Sequence, residues 1–165
     1  MKSDCIFCKI ENLLKTHIIY RGDNLFAIFD SYPVSPGHAL IIPKRHIPSI
    51  FELNHKELNE LIYILPNVKR SIEQKNLKKL YINFLANSKD KKAIFFYKNM
   101  LKKLEKNSKI EGYNIGVNQG EVAGQTINHL HIHIIPRYQN DVPDPIGGVR
   151  NVIPELGNYK IYQEG

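Results

Sequence analysis

The chain has 165 residues, of which 42% are hydrophobic and 24% are charged, and its formal net charge is +7. This length is enough to bury a hydrophobic core, so we expect one domain over residues 1–165. No run of about 18 apolar residues and no signal-peptide pattern occurs, so a membrane-spanning or exported protein is not indicated and a cytoplasmic location is expected.

The excess of positive charge is confined to one stretch, residues 75–109, called here the lysine-rich segment. It contains eleven lysines, Asp90 and Glu105, whereas the rest of the chain has a net charge of −2. Such a composition is typical of a solvated helix face, although a patch that binds phosphate or a membrane surface has the same one. The distribution of charge therefore leaves nucleic acid possible as a partner but does not favour it.

The first half of the chain alternates strand and helix patterns. Apolar residues at helical spacing predict a short helix over residues 6–14. Two apolar runs, 17–20 and 25–29, predict a hairpin, and residues 38–42 predict a third strand. Asn54, with a glutamate three residues later, predicts the capped start of a long helix.

The second half completes an α+β pattern of about five antiparallel strands with helices inserted between them. The lysine-rich segment is predicted to be helical, and residues 112–118 are predicted to form a strand. Residues 138–165 are rich in proline and glycine, which predicts a C-terminal extension over the surface. Its expected apolar anchors are Val149, Val152, Ile153 and Tyr159.

Residues 128–136 form the most informative stretch of the sequence. His129, His131 and His133 alternate with apolar residues that we expect to face the core, the period-2 pattern of a half-buried strand. Alternate residues of a strand lie about 7 Å apart, and the outer two histidines about 13 Å apart, so the three cannot share one metal ion. A division of tasks among them is expected.

Two chemistries fit this pattern. His129 and His131, with a third ligand, would suit a metal-dependent hydrolase, and a neutral imidazole with one pinned nitrogen would suit covalent catalysis. Gly124, Gln125 and Thr126 favour the second, because glycine loops and polar side chains bring hydrogen-bond donors to an anion.

Cys5 and Cys8 form a C-x-x-C pair, for which a metal site, a redox motif and a non-functional pair all remain open. Zinc requires four ligands, and His46 and His129 are available as the other two. The redox alternative expects a βαβ pattern after the motif, which the hairpin does not supply.

The sequence His129-Leu130-His131-Ile132-His133-Ile134-Ile135 resembles the signature of the histidine triad family of nucleotide hydrolases and transferases. Further segments are similar to those that flank this signature: 112–120, 123–126 and 136–137 around it, 5–10, 28–30 and 37–46 in the N-terminal half, and 144–150 in the tail. The lysine-rich segment has no counterpart in this pattern and resembles an insertion.

The resemblance implies a role for each matched residue. His131 would attack the α-phosphorus, and His133 would bind phosphate and assist the leaving group. The phosphate-binding positions would be Asn118, Gly124, Gln125 and Thr126. Asp30 would hold the ribose, and the apolar slot for a purine base would consist of Ile6, Phe7, Ile10 and Ile28, which without the resemblance read as core.

The resemblance also implies a structural zinc ion held by Cys5, Cys8, His46 and His129, and a homodimer. His17, His38 and His55 match none of its catalytic positions and are interpreted as structural or surface residues.

The expected function is cleavage at the α-phosphate of a purine nucleoside phosphoramidate, a dinucleoside polyphosphate or an adenylylated compound, through a nucleotidyl-histidine intermediate. The alternative is a nucleic-acid-associated nucleotide-binding module, or a DNA-deadenylating enzyme similar to aprataxin, that uses the lysine-rich segment.

Overall fold

The computed structural model describes residues 5–13 and 17–161. Its main elements follow in chain order: α1 (Ile6–Leu13), β1 (Ile18–Arg21), β2 (Leu25–Phe29), β3 (Ala39–Pro43), α2 (His55–Gln74), α3 (Leu77–Asn87), α4 (Lys91–Lys106), β4 (Ile110–Gly116), β5 (Ile132–Tyr138) and α5 (Pro154–Gly157). In this part of the chain, no helix has the length and apolar character needed to cross a bilayer.

The five strands form one antiparallel sheet in the order β1-β2-β3-β5-β4. This confirms the predicted α+β class, and the hairpin, the third strand and the fourth strand all lie within a few residues of their predicted positions. Every residue of β2 and β3 is buried, so these central strands are covered on both faces.

The two faces of the sheet are covered by different helices. One face packs against α2, α3 and α4, where Ile64, Val68 and Ile72 of α2 are fully buried. The opposite face holds a smaller apolar cluster to which α1 contributes Phe7. Leu130, Ile132 and Ile134 lie in the larger core as predicted, so the histidines that alternate with them are placed on the face of α1.

The long helix α2 begins with a capping box. The Asn54 side chain accepts from the backbone of Lys56 and Glu57, and Glu57 accepts from the Asn54 backbone. This arrangement satisfies donors that a helix start leaves unpaired. The sequence prediction of this N-cap is confirmed.

Two helices, α3 and α4, occupy most of the lysine-rich segment, and all eleven of its lysines are exposed. Tyr81, Phe84, Tyr97 and Met100 on the opposite side of these helices are buried in the larger core. The segment is thus an integral layer of the fold with a solvated basic surface.

Two expectations are wrong, one about the start of a strand and one about the burial of the tail. Strand β5 begins at Ile132, because the backbone N–H of Leu130 donates to the carbonyl of Ile47 at 2.6 Å and not to a neighbouring strand. In the tail, the expected anchors Val149, Val152, Ile153 and Tyr159 are all more than half exposed.

Candidate active site and metal-binding cluster

A cavity of about 190 Å³ opens on the face of the sheet that α1 covers. Its apolar lining consists of Ile6, Phe7, Ile28, Leu40 and Ile127. Its polar lining consists of Asp30, Ser31, Tyr32, Thr126, His131 and His133. The cavity therefore joins an apolar slot to a carboxylate and two imidazoles.

His131 is buried in this lining with one ring nitrogen pinned. Its Nδ1 lies 2.8 Å from the carbonyl oxygen of His129. A carbonyl oxygen only accepts hydrogen bonds, so Nδ1 carries the proton and Nε2 keeps its lone pair. The fold thus fixes His131 in the tautomer that a nucleophilic imidazole requires.

His133 belongs to a chain of three polar side chains. Its Nδ1 lies 3.1 Å from Nε2 of His38, and Nδ1 of His38 lies 3.3 Å from Oδ2 of Asp30. The backbone N–H of Val34 also points at this Nδ1, at 3.4 Å, so the tautomer of His38 decides the direction of the chain. In the tautomer that the Asp30 carboxylate favours, Nδ1 of His38 donates to Asp30 and Nε2 accepts from His133. In that tautomer Nε2 of His133, which is buried without a hydrogen-bond partner among the described residues, is left as an acceptor.

Burial is the main influence on the charge of this histidine pair. It lowers the pKa of His133 to about 4, with His38 and His131 acting in the same direction and Asp30 opposing them. Burial also lowers the pKa of His38, against the attraction of Asp30. Both rings are therefore neutral near pH 7.

The loop before β5 contributes to the site less than the sequence indicated. Gln125 is buried, and its amide accepts from Gly120 N and donates to the Pro48 carbonyl, both at 2.8 Å. Its side chain closes the loop, so the interpretation of Gln125 as a phosphate donor lacks support from this geometry. Thr126 lines the cavity.

Gly124 and Asn118 belong to the same loop and lie outside the cavity lining. Gly124 has a φ of +88°, and a side chain there would lie 3.7 Å from Nδ2 of Asn118. Left-handed backbone of this kind suits glycine. Gly124 therefore suits the turn that leads to Thr126.

The predicted base slot is brought together in part. Phe7 and Ile28 line the cavity and also belong to the smaller apolar cluster, and Ile6 lies at the surface with 52% exposure. The side chain of Ile10 lies outside the part of the structure that is described. Phe7 and Ile28 are therefore core residues that also line the cavity, and their role as a base slot stays a prediction.

A second cluster lies next to the cavity. The ligand atoms of Cys5, Cys8, His46 and His129 all lie within 4.8 Å of one another. Nδ1 of His129 is 3.4 Å from Cys5 Sγ and 3.6 Å from Cys8 Sγ, and Nδ1 of His46 is 3.3 Å from Cys8 Sγ. Ligand pairs on one tetrahedral zinc ion are separated by about 3.3–3.8 Å. The donor set and its spacing fit zinc.

His129 is also held in the tautomer that a metal ligand needs. Its Nε2 lies 2.8 Å from the carbonyl oxygen of Pro43, so this nitrogen donates and Nδ1 presents its lone pair to the sulfurs. A carbonyl that orients a metal-ligating histidine in this way is a common second partner.

His38 is the site residue that the sequence reading missed. It is almost completely buried and contacts His133, so of the two predicted alternatives the structural one fits and the surface one is wrong. A local signal did exist, because His38 precedes Leu40 by two residues and thus shares its face of the sheet. The pairing of Leu40 with His133, which brings the two histidines together, depends on β3 meeting β5.

These features define an α+β protein with an imidazole-lined cavity and an adjacent Cys₂His₂ cluster. The HIT domain model matches residues 12–140 of the chain. The chain therefore belongs to the HIT family.

Relatives and solved structures agree with this assignment. The chain is 35% identical over 138 residues to an uncharacterized HIT-like protein of Methanocaldococcus jannaschii, covering 83% of this chain and 81% of that protein. A crystal structure of a HIT family member from Bacillus subtilis superimposes with a TM-score of 0.58 at 27% identity, covering 84% of this chain and 76% of that one.

Two relatives carry names that state an activity. An adenylylsulfatase of Arabidopsis thaliana is 31% identical over 145 residues, covering 86% of this chain and 56% of that protein. An AP-4-A phosphorylase of Mycobacterium tuberculosis is 29% identical over 142 residues, covering 84% of this chain and 56% of that protein.

Proposed function

We propose that this chain is a nucleotide hydrolase or transferase that cleaves the bond between an α-phosphate and its leaving group through a covalent nucleotidyl-histidine intermediate. The substrate is a purine nucleoside phosphoramidate, a dinucleoside polyphosphate or an adenylylated compound. The observation that carries this proposal is the hydrogen bond from His131 Nδ1 to the His129 carbonyl, which leaves Nε2 as a lone-pair nitrogen. The relatives named adenylylsulfatase and AP-4-A phosphorylase support the proposal.

In the first step, Nε2 of His131 attacks the α-phosphorus. The new N–P bond forms as the bond from phosphorus to the leaving group breaks, and the leaving group takes the electron pair. The imidazole of the intermediate is cationic, and the His129 carbonyl stabilises it through Nδ1–H. Asp30 accepts hydrogen bonds from the ribose hydroxyls and fixes the nucleoside.

His133 moves the proton in both steps. A bound phosphate raises the pKa of His133, so that Nε2 takes up a proton, and Asp30 stabilises the resulting charge through His38. His133 then donates this proton to the leaving group. In the second step, water or another acceptor attacks phosphorus, its proton passes to His133, and the N–P bond breaks to restore His131.

The zinc ion is proposed as a structural element. Cys5, Cys8, His46 and His129 would hold it, and the ion would link the start of α1 to the segment before β5. Since His129 supplies the carbonyl that pins His131, the cluster fixes the nucleophile through two residues of backbone.

We further propose a homodimer formed through β4. This strand is an edge of the sheet, and Ile115 on it is 50% exposed. The strand also contacts the segment 148–152 of the tail, which contains the exposed Val149 and Val152. An unpaired strand edge beside apolar surface favours association. Ile115→Lys should shift the mass in solution from dimer to monomer, and a monomeric wild-type chain would contradict this part.

A panel assay tests the enzymatic proposal. The wild-type chain and His131→Ala are incubated with adenosine phosphoramidate, diadenosine polyphosphates and adenylylated DNA, and AMP release is measured. Release from at least one substrate, lost in His131→Ala, is expected. No release from any of the three would overturn the proposal, and preferred release from adenylylated DNA would support the nucleic-acid alternative.

A further inference from the structure

The lysine-rich segment holds the loop between β2 and β3 that carries part of the cavity wall. Nζ of Lys103 donates to the Val34 carbonyl at 2.8 Å, and the Tyr81 hydroxyl accepts from Gly37 N at 2.8 Å. Ser31 forms a side-chain hydrogen bond with Tyr97. Both helices of the segment thus fix the path of the chain from Asp30 to His38.

Tyr32 is the side chain of this loop that the segment holds most directly. Its hydroxyl donates to Oδ2 of Asp90 at 2.6 Å, and its ring packs edge-on against Phe96 with centroids 5.8 Å apart. Nζ of Lys92 lies 4.9 Å from the ring centroid. The hydrogen bond to Asp90 raises the pKa of Tyr32 to about 12, so the phenol stays protonated and donates.

Tyr32 also lines the cavity, at its mouth. Among the large side chains of the lining, Tyr32 and Ile6 remain exposed, by 41% and 52%. The backbone N–H of Tyr32 donates to Oδ1 of Asp30 at 2.8 Å, so the ring is placed two residues from the carboxylate proposed for the ribose. An exposed aromatic ring in this position suits the flat face of a base.

We propose that Tyr32 binds the purine base at the mouth of the cavity, and that the lysine-rich segment sets base affinity by holding this ring through Asp90, Lys92 and Phe96. The inference rests on the nucleotide function proposed above. A ring that is already held in place loses little conformational freedom when the base binds, and this raises affinity. The segment therefore acts as part of the substrate site.

The test measures the affinity of the full-length chain for AMP and for ribose 5-phosphate by calorimetry and competition. Tyr32→Ala is expected to raise the Kd for AMP about tenfold or more, the usual effect of losing one base–aromatic contact. Its Kd for ribose 5-phosphate should stay unchanged, because Asp30 and its backbone partner remain. Asp90→Ser retains a helix N-cap and removes the partner of the hydroxyl, so a smaller rise for AMP is expected.

Two matched controls separate this effect from general damage. Asn76→Ser changes the N-cap of α3, and Tyr63→Ala removes an exposed tyrosine of α2; neither should alter the Kd for AMP. Wild-type affinity for AMP in Tyr32→Ala would overturn the inference. Equal weakening for both ligands would also overturn it, because Tyr32 would then act only through Asp30. Failure of the wild-type chain to bind either ligand would contradict the proposed function as well.

Discussion

His38 and His133 face each other from neighbouring strands, with Nε2 of His38 3.1 Å from Nδ1 of His133 and the ring planes 27° apart. Asp30 lies on the far side of His38. Its carboxylate can therefore stabilise a positive charge on His133 without contacting His133 directly. In the proposed mechanism, this series of three side chains prepares His133 to hold a proton when a phosphate is bound.

Replacing His131 by alanine should abolish turnover while leaving nucleotide binding intact. Loss of a covalent nucleophile typically costs a factor of about 1000 or more in kcat. Steady-state kinetics and AMP titration measure the two effects separately. His55→Ala, at an exposed histidine of α2, is the control and should behave as wild type.

Replacing His38 by phenylalanine should lower kcat by about 100-fold, the usual contribution of an acid–base group, with a much smaller effect on KM. The phenyl ring keeps the packing but removes both nitrogens from the chain between Asp30 and His133. His17→Phe, at a buried histidine that stacks on Phe84, is the matched control. A kcat within twofold of wild type in His38→Phe would show that the chain has no role in proton transfer.

Freshly purified protein should contain about one zinc ion per chain, because four ligands satisfy one tetrahedral ion. Cys8→Ser should lose most of this zinc and lower the Tm, since metal binding stabilises the folded state. Elemental analysis and thermal melting measure both. A wild-type chain without zinc and with unchanged Tm in Cys8→Ser would contradict the metal assignment.

Acid should destabilise the fold through His17, which stacks on Phe84 with ring centroids 3.8 Å apart. Burial lowers its pKa from 6.5 to about 4, so between these pH values the unfolded state binds more protons and stability falls as the pH drops. From pH 7 to pH 5 the loss from this group is about 2 kcal/mol. Denaturant unfolding should show that His17→Phe loses about this much less than wild type; equal losses would contradict the assignment.

The elements that local sequence signals predict are the ones the structure confirms. The capping pair Asn54 and Glu57 fixes the start of α2 through bonds within one helical turn. The alternation of Leu130, Ile132 and Ile134 likewise places these residues in the core. Such patterns depend on neighbours close in sequence, so the sequence alone reveals them.

Other features depend on contacts between distant residues. The start of β5 is set by the bond from Leu130 to Ile47, and the place of His38 is set by the pairing of β3 with β5. The closure of the loop by Gln125 depends on Pro48, and the support of Tyr32 depends on Asp90. Local sequence patterns do not reveal these contacts. Each contact joins segments that are distant in sequence and that meet only in the complete fold.

The most direct test of the central claim is detection of the covalent intermediate. The chain is mixed with an adenylylated substrate, quenched in the millisecond range under alkaline denaturing conditions, and analysed by intact-mass and peptide-mapping spectrometry. The mechanism predicts one nucleotidyl group per chain, attached to His131 and absent in His131→Ala. Substrate turnover without any labelled peptide in wild type, or with the label on another residue, would contradict it.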